Sequence, residues 1–134
     1  MATTTATITL SSTDLLSDEL SLNTTATLTG AGNSTGLTLA SGLSRKKLAS
    51  GHAEYTLFDG SDYTADKAHK VYLKNISTTA TENFKITING EEIGLLYAGD
   101  WALFPWSAHD NDNDIKIDPS AADMVLEYML FIDE

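Results

Sequence analysis

Residues 83–97 read NFKITINGEEIGLLY. Phe84, Ile86 and Ile88 alternate with Lys85 and Thr87, and Asn89-Gly90 follows at once. Period-two alternation places one apolar set on one face of an extended chain. Asn-Gly suits a type I′ turn, which needs positive φ at both central positions. A strand, a tight reversal and a return strand are thereby written into fifteen residues.

Similar units recur. TATITL sets Thr5, Thr7 and Thr9 against Ala6, Ile8 and Leu10, and LNTTATLTG reads as a second strand from Leu20 to Thr29. AEYTLF stops at the turn DGSD. HKVYLKNI carries Val71 and Leu73 on one face, with Tyr72 and Lys74 on the other. WALFPW, DIKI and MVLEYMLFI follow, separated by turn-forming stretches. The last run is apolar on both faces except for Glu127, so a central strand covered on both sides is expected, within the fold or by a partner subunit. Only SSTDLLSDEL suggests a helical turn, capped by Ser11 or Ser12. Turn signals about every ten residues indicate an antiparallel sandwich or barrel. The expectation is an all-β, jelly-roll-like antiparallel β-sandwich of about eight or nine short strands with an extended N-terminal arm. The arm takes residues 1–40 and the body 41–134.

A chain of 134 residues is the size of one domain and can hold its own core. It has no cysteine, so it has no disulfide frame and no thiolate chemistry. The net charge of −11 repels phosphate backbones and anionic lipid, so no nucleic-acid or membrane partner is expected. No apolar run is long enough for a transmembrane helix. The opening MATTTATITLSS lacks the basic and apolar regions of an export signal, so the sequons at Asn23, Asn33 and Asn75 are read as chance. Residues 1–40 hold twelve of the eighteen threonines and no Lys or Arg.

Catalytic patterns are sparse. His52, His69 and His109 lie in turns or at strand edges, none in a local motif with Ser or Asp. There is no G-x-S-x-G elbow, no Walker loop and no H-E-x-x-H. HDNDNDIKI spaces Asp110, Asp112 and Asp114 as calcium loops do. Counted from Asp110, an EF-hand needs Gly at its sixth position and Glu at its twelfth, and Ile115 and Ala121 stand there. A looser set would add Asp118, but a polar strand connection is the favoured reading. No metal, no cofactor and no enzyme activity are expected.

Two segments are candidate interfaces. Arg45, Lys46 and Lys47 form the one basic cluster, read as a solvated face or as a docking patch for an acidic neighbour. Trp101, Phe104 and Trp106 fall within six residues. They suit a core or a subunit interface; exposed, the two indoles could instead stack on sugar rings. Pro105 donates no ladder hydrogen bond and belongs at an edge or bulge.

Several longer stretches resemble a family. KVYLKNIST leads to FKITINGEEIGLLYAGDWALFPWSA, and DIKIDPSAADMVLEYMLFIDE closes the chain. Together with the opening TATITLSSTDLLSDELSLNTTATLTGAGNSTGL, they resemble small virion structural proteins of tailed bacteriophages, especially those of cyanophages and other marine phages. The resemblance implies a β-sandwich subunit, made in the host cytoplasm, that assembles on a capsid or tail. Its partners would be the major capsid protein or tail proteins, and further copies of itself in a trimer or ring. Capsid decoration is the first expectation, a tail, neck or fibre role the second, and a carbohydrate-binding module built on Trp101 and Trp106 the third. The N-terminal arm is expected to pair with the body or with a neighbouring subunit.

Overall fold

In the computed structural model, residues 4–15, 17, 19–30, 37, 39–109 and 112–134 are described. Asp110 and Asn111 lie outside them, as do Leu16 and Asp18. The alternating runs become strands: β1 (Thr5–Ser12), β2 (Leu20–Thr27), β3 (Leu39–Ala40), β4 (Ser44–Leu48), β5 (Tyr55–Phe58), β6 (His69–Asn75), β7 (Asn83–Ile88), β8 (Glu91–Tyr97), β9 (Trp101–Trp106), β10 (Ile115–Pro119) and β11 (Met124–Ile132). A short 3₁₀ turn, Gly60–Asp62, is capped by the Asp59 carboxylate, which accepts from the Ser61 amide.

The eleven strands among the described residues exceed the expected eight or nine because β3 and β4 were not anticipated. Three successive cations hide the alternation of β4. Arg45 and Lys47 pair opposite Glu127 and Val125 on one face, while Lys46 and Leu48 share the other. The expected helical turn does not form among the described residues. The Ser12 hydroxyl accepts from the amides of Asp14 and Leu15, as a cap would, but residues 13–15 are bends. Local side-chain bonding of this kind competes with helix rather than starting one.

The body is wired as a jelly roll. Its antiparallel pairs are nested: β4 with β11, β5 with β10, β6 with β9, and β7 with β8. Further pairing of β11 with β6 and of β10 with β7 joins them into two sheets. One sheet runs β4-β11-β6-β9, with β3 beside β4 along the same strand β11; the other runs β5-β10-β7-β8. The turn between β7 and β8 takes positive φ at Asn89 (51°) and Gly90 (77°), as a type I′ turn requires.

Between the sheets lies one core. Val71, Leu73, Phe84, Ile115, Leu126 and Leu130 are fully enclosed. Each such side chain contributes about 1.5–3 kcal/mol by leaving water. Two polar residues are equally buried and fully bonded. Asn75 donates through Nδ2 to the carbonyls of Leu96 and Glu82, and its Oδ1 accepts from the Ser77 amide. It thereby clamps β6 of one sheet to β8 of the other. This burial also removes the Asn75 sequon from the surface.

β1 and β2 stand apart as a two-stranded sheet of their own, in register from Thr5↔Thr27 to Ser12↔Leu20. Among the described residues they pair with each other and not with the body. Leu28 and Leu37, buried outside the main core, anchor the base of this hairpin, helped by the Leu28 amide on the Thr4 carbonyl.

Candidate functional site

Side chains on alternate positions of β9, β6, β11 and β4 face outward from the five-stranded sheet. Cross-strand register sorts them into rows. One row is Leu103, Tyr72 and Met129; the next is Trp101, Lys74, Glu127 and Arg45. The first is apolar, and the second alternates in charge after its indole.

Glu127 is the hub of the charged row. Its Oε2 accepts from Arg45 Nε at 3.0 Å and its Oε1 accepts from the Tyr72 hydroxyl at 3.0 Å. The Arg45 hydrogen bond, then that of Tyr72, holds the Glu127 carboxyl below its ordinary value of 4.5. Burial and the same carboxylate push the Tyr72 hydroxyl upward. The sequence marked Glu127 only as an exception in an apolar strand; its role follows from register, which places it opposite Arg45 and Lys74.

Above the apolar row sits a groove of about 300 Å³. Its floor is Tyr72, Leu103, Met129 and Phe131, and its roof is Thr4, Thr5, Ala6 and Leu28 from the hairpin base. From there the hairpin runs on, and its two faces differ. Ala6, Ile8, Leu10 and Ser12 share one face with Leu20, Leu22, Thr24 and Ala26, six of the eight being apolar. Thr5, Thr7, Thr9 and Ser11 share the other with Ser21, Asn23, Thr25 and Thr27, and Thr7 and Thr25 hydroxyls bond across it at 2.8 Å. Leu10 and Leu22 lie opposite each other and stay 50% and 44% exposed. The alternation of β1 was legible; that β2 matches it needed the pairing register.

Each cation of the basic cluster has a partner within the chain, and the Arg45 and Lys47 side chains remain exposed. Arg45 pairs with Glu127, and Lys47 Nζ lies 3.0 Å from Asp123. Lys46 shares a face with the buried Leu126 and sets its ammonium over the Tyr55 ring, 5.1 Å from the centroid. All three cations are engaged within the chain. The aromatic segment splits by parity. Trp106 is buried among Phe58, Tyr63 and His69, and its indole N–H donates to the Asn113 carbonyl at 2.8 Å. Phe104 packs against the core. Trp101 is half exposed on the outer face.

The histidines do not converge on a nucleophile. His69 is fully buried: Nδ1 accepts from the Asp133 amide and Nε2, the protonated nitrogen, donates to the Thr64 carbonyl. This ring fastens the C-terminus to the body, and the Asp133 carboxylate accepts from the Ala68 amide. His52 is exposed in a turn at φ 55°. His109 forms an isolated bridge with Asp112. The acidic loop is likewise divided. Asp114 Oδ1 accepts from the Gly60 amide at 2.8 Å, and Asp118, at the far end of β10, pairs with Lys85. Among the described residues no group of three His, Asp or Glu side chains is placed to hold a metal.

In comparisons with known proteins, no family model, no curated protein and no solved structure matches this chain.

Proposed function

We propose that the chain is a non-enzymatic structural subunit of a tailed-phage virion, and that it decorates and stabilises the assembled head. One observation carries this reading: a jelly-roll body bears a long hairpin whose apolar face and strand edges have no partner among the described residues. Surfaces of that kind await another polypeptide, a further copy of the chain included, and so point to assembly. Jelly rolls also recur in viral capsid domains, which is fold-level analogy and carries less weight than the hairpin.

A decoration protein needs only to bind the assembled shell better than its loose subunits; mass action then stabilises the shell. The major capsid protein is the expected partner. Purified particles should contain the chain at high copy number, and particles lacking it should disassemble at lower temperature. Mass-spectrometric stoichiometry is the test. A copy number in the range of one small ring would move the assignment to the tail or neck. Absence from the particle would end both. The sugar-binding reading rests on Trp101 alone, since Trp106 is enclosed in the core.

A further inference from the structure

The body's strand edges are blunted. β4, at one edge of the five-stranded sheet, carries Arg45, Lys46 and Lys47, and β9, at the other, contains Pro105. β8 bears Glu91 and Glu92 and a bulge where Ile93 has no partner on β7. β5 has four residues and a register shift against β10. Charges, proline, bulges and shortness all discourage added strands. The hairpin carries none of these. Residues 4–12 and 20–30 contain no proline and no ionisable side chain, and among the described residues nothing pairs with either outer edge over its eight residues.

We propose that the hairpin is the seam between copies of this chain, joined edge to edge into a closed ring with Ala6, Ile8, Leu10 and Leu22 facing inward. Three properties select a second copy as occupant. The first is charge. The body holds all the cations and sixteen of the nineteen acids, so two copies at −11 repel wherever their bodies meet, and the neutral shaft is where they can touch. A basic partner would be drawn instead to the acidic body or to the tip at Asp14 and Glu19.

The second property is direction. β1 and β2 are antiparallel within a copy. In a rotational ring β2 of one copy meets β1 of the next, again antiparallel, so every edge finds a partner. The third is area. Eight residues span about 27 Å, so one hairpin face covers roughly 270 Å². Two hairpins stacked face to face would bury only that much per copy, against about 800 Å² for a stable pair. Edge pairing on both sides raises the figure to about 500 Å² and satisfies the open ladder groups as well. A ring is favoured over a stacked pair, with association that depends on concentration.

The inference concerns the purified chain and holds whether or not the chain belongs to a virion. Light scattering and native mass spectrometry, from about 5 to 500 μM, should show a closed oligomer of at least three copies. L10D/L22D should shift the midpoint of assembly at least tenfold toward monomer. T9D/N23D places the same charges on the hydroxyl face and should leave the oligomer intact. All four positions are exposed, so the body should keep its melting temperature and circular dichroism in both variants. A wild-type chain that stays monomeric throughout, a dimer that grows no further, or an oligomer that survives L10D/L22D would each overturn the proposal.

Discussion

Replacing Trp106 with Ala separates the two tryptophans by consequence. Trp106 is 4% exposed and Trp101 is 50% exposed, though both lie on β9. Truncating an enclosed indole costs about 3–5 kcal/mol through lost transfer energy and the cavity left behind. Here the ring also makes an edge contact with Tyr63, at 5.5 Å and 75°, and its N–H satisfies the Asn113 carbonyl. A loss of about 4 kcal/mol is a large part of the roughly 5–15 kcal/mol that holds a domain together. At this chain length each kcal/mol moves the melting temperature by about 3–4 °C, so W106A should melt roughly 12–16 °C lower. W101A should shift it by less than about 2 °C, because an exposed truncation stays within about 0.5 kcal/mol. W106F keeps a ring but orphans the Asn113 carbonyl and should fall between, at about 1–3 kcal/mol. Far-ultraviolet circular dichroism during heating measures all three. Fluorescence adds an independent reading: W101A leaves one buried emitter, at shorter wavelength than the exposed one left in W106A. Equal destabilisation by W101A and W106A would refute this division of the segment into core and outer face.

Asn75→Ala orphans the Leu96 and Glu82 carbonyls and the Ser77 amide, and should cost about 2–4 kcal/mol in urea unfolding; a loss below 1 kcal/mol would mean that the clamp is dispensable. Gly60→Ala sets a Cβ 2.3 Å from the Asp112 carbonyl oxygen and 2.4 Å from that of His109, so it should displace the acidic loop and lower stability by about 1–3 kcal/mol, seen in thermal unfolding and in loop amide exchange. The Glu127 carboxyl is lowered in the folded chain, so its contribution is complete above its ordinary value of 4.5 and disappears as pH falls through the lower folded value. E127Q should therefore flatten the acid limb of the stability curve below about pH 4.5 while leaving the basic side unchanged; an unaltered acid limb would contradict the pairing with Arg45.

Most of the body was legible because its strands bury one face, and burial imposes period two on sequence. Val71/Leu73, Phe84/Ile86 and Ile115/Ile117 all show it. What stayed hidden depended on partners distant in sequence. β4 looked like a basic cluster without a strand pattern until its register against β11 set Arg45 beside Glu127, 82 residues away. His69 looked like a strand-edge residue, yet it is bolted to Asp133. WALFPW looked like a single unit, but strand parity sends Trp101 outward and Trp106 inward. The hairpin was half visible. Each strand could be found alone, whereas its apolar face exists only once Leu10 and Leu22 are placed opposite each other.

The distribution of unsatisfied groups bears on what kind of function this fold serves. Chemistry concentrates polar groups in strained or perturbed settings within a cleft. Here the enclosed polar side chains are largely spent on the fold: His69 and Asn75 use every ring or amide position named above, and the half-buried Asp114 accepts from the Gly60 amide. Among the described residues the buried side-chain atoms without a hydrogen bond are Thr87 Oγ1 and Asp118 Oδ1. Both belong to β7 and β10 in the four-stranded sheet, and the other Asp118 oxygen is held by Lys85. The larger deficit among the described residues is backbone and apolar: two open edges and a half-exposed leucine pair on the hairpin. An isolated hairpin is marginal in water, so its order depends on being covered. A fold that spends most of its buried polar groups internally and leaves a neutral, amphipathic ribbon exposed fits the assembly role proposed above. The acidic body then limits where assembly can occur, because repulsion between bodies leaves the ribbon as the surface of closest approach.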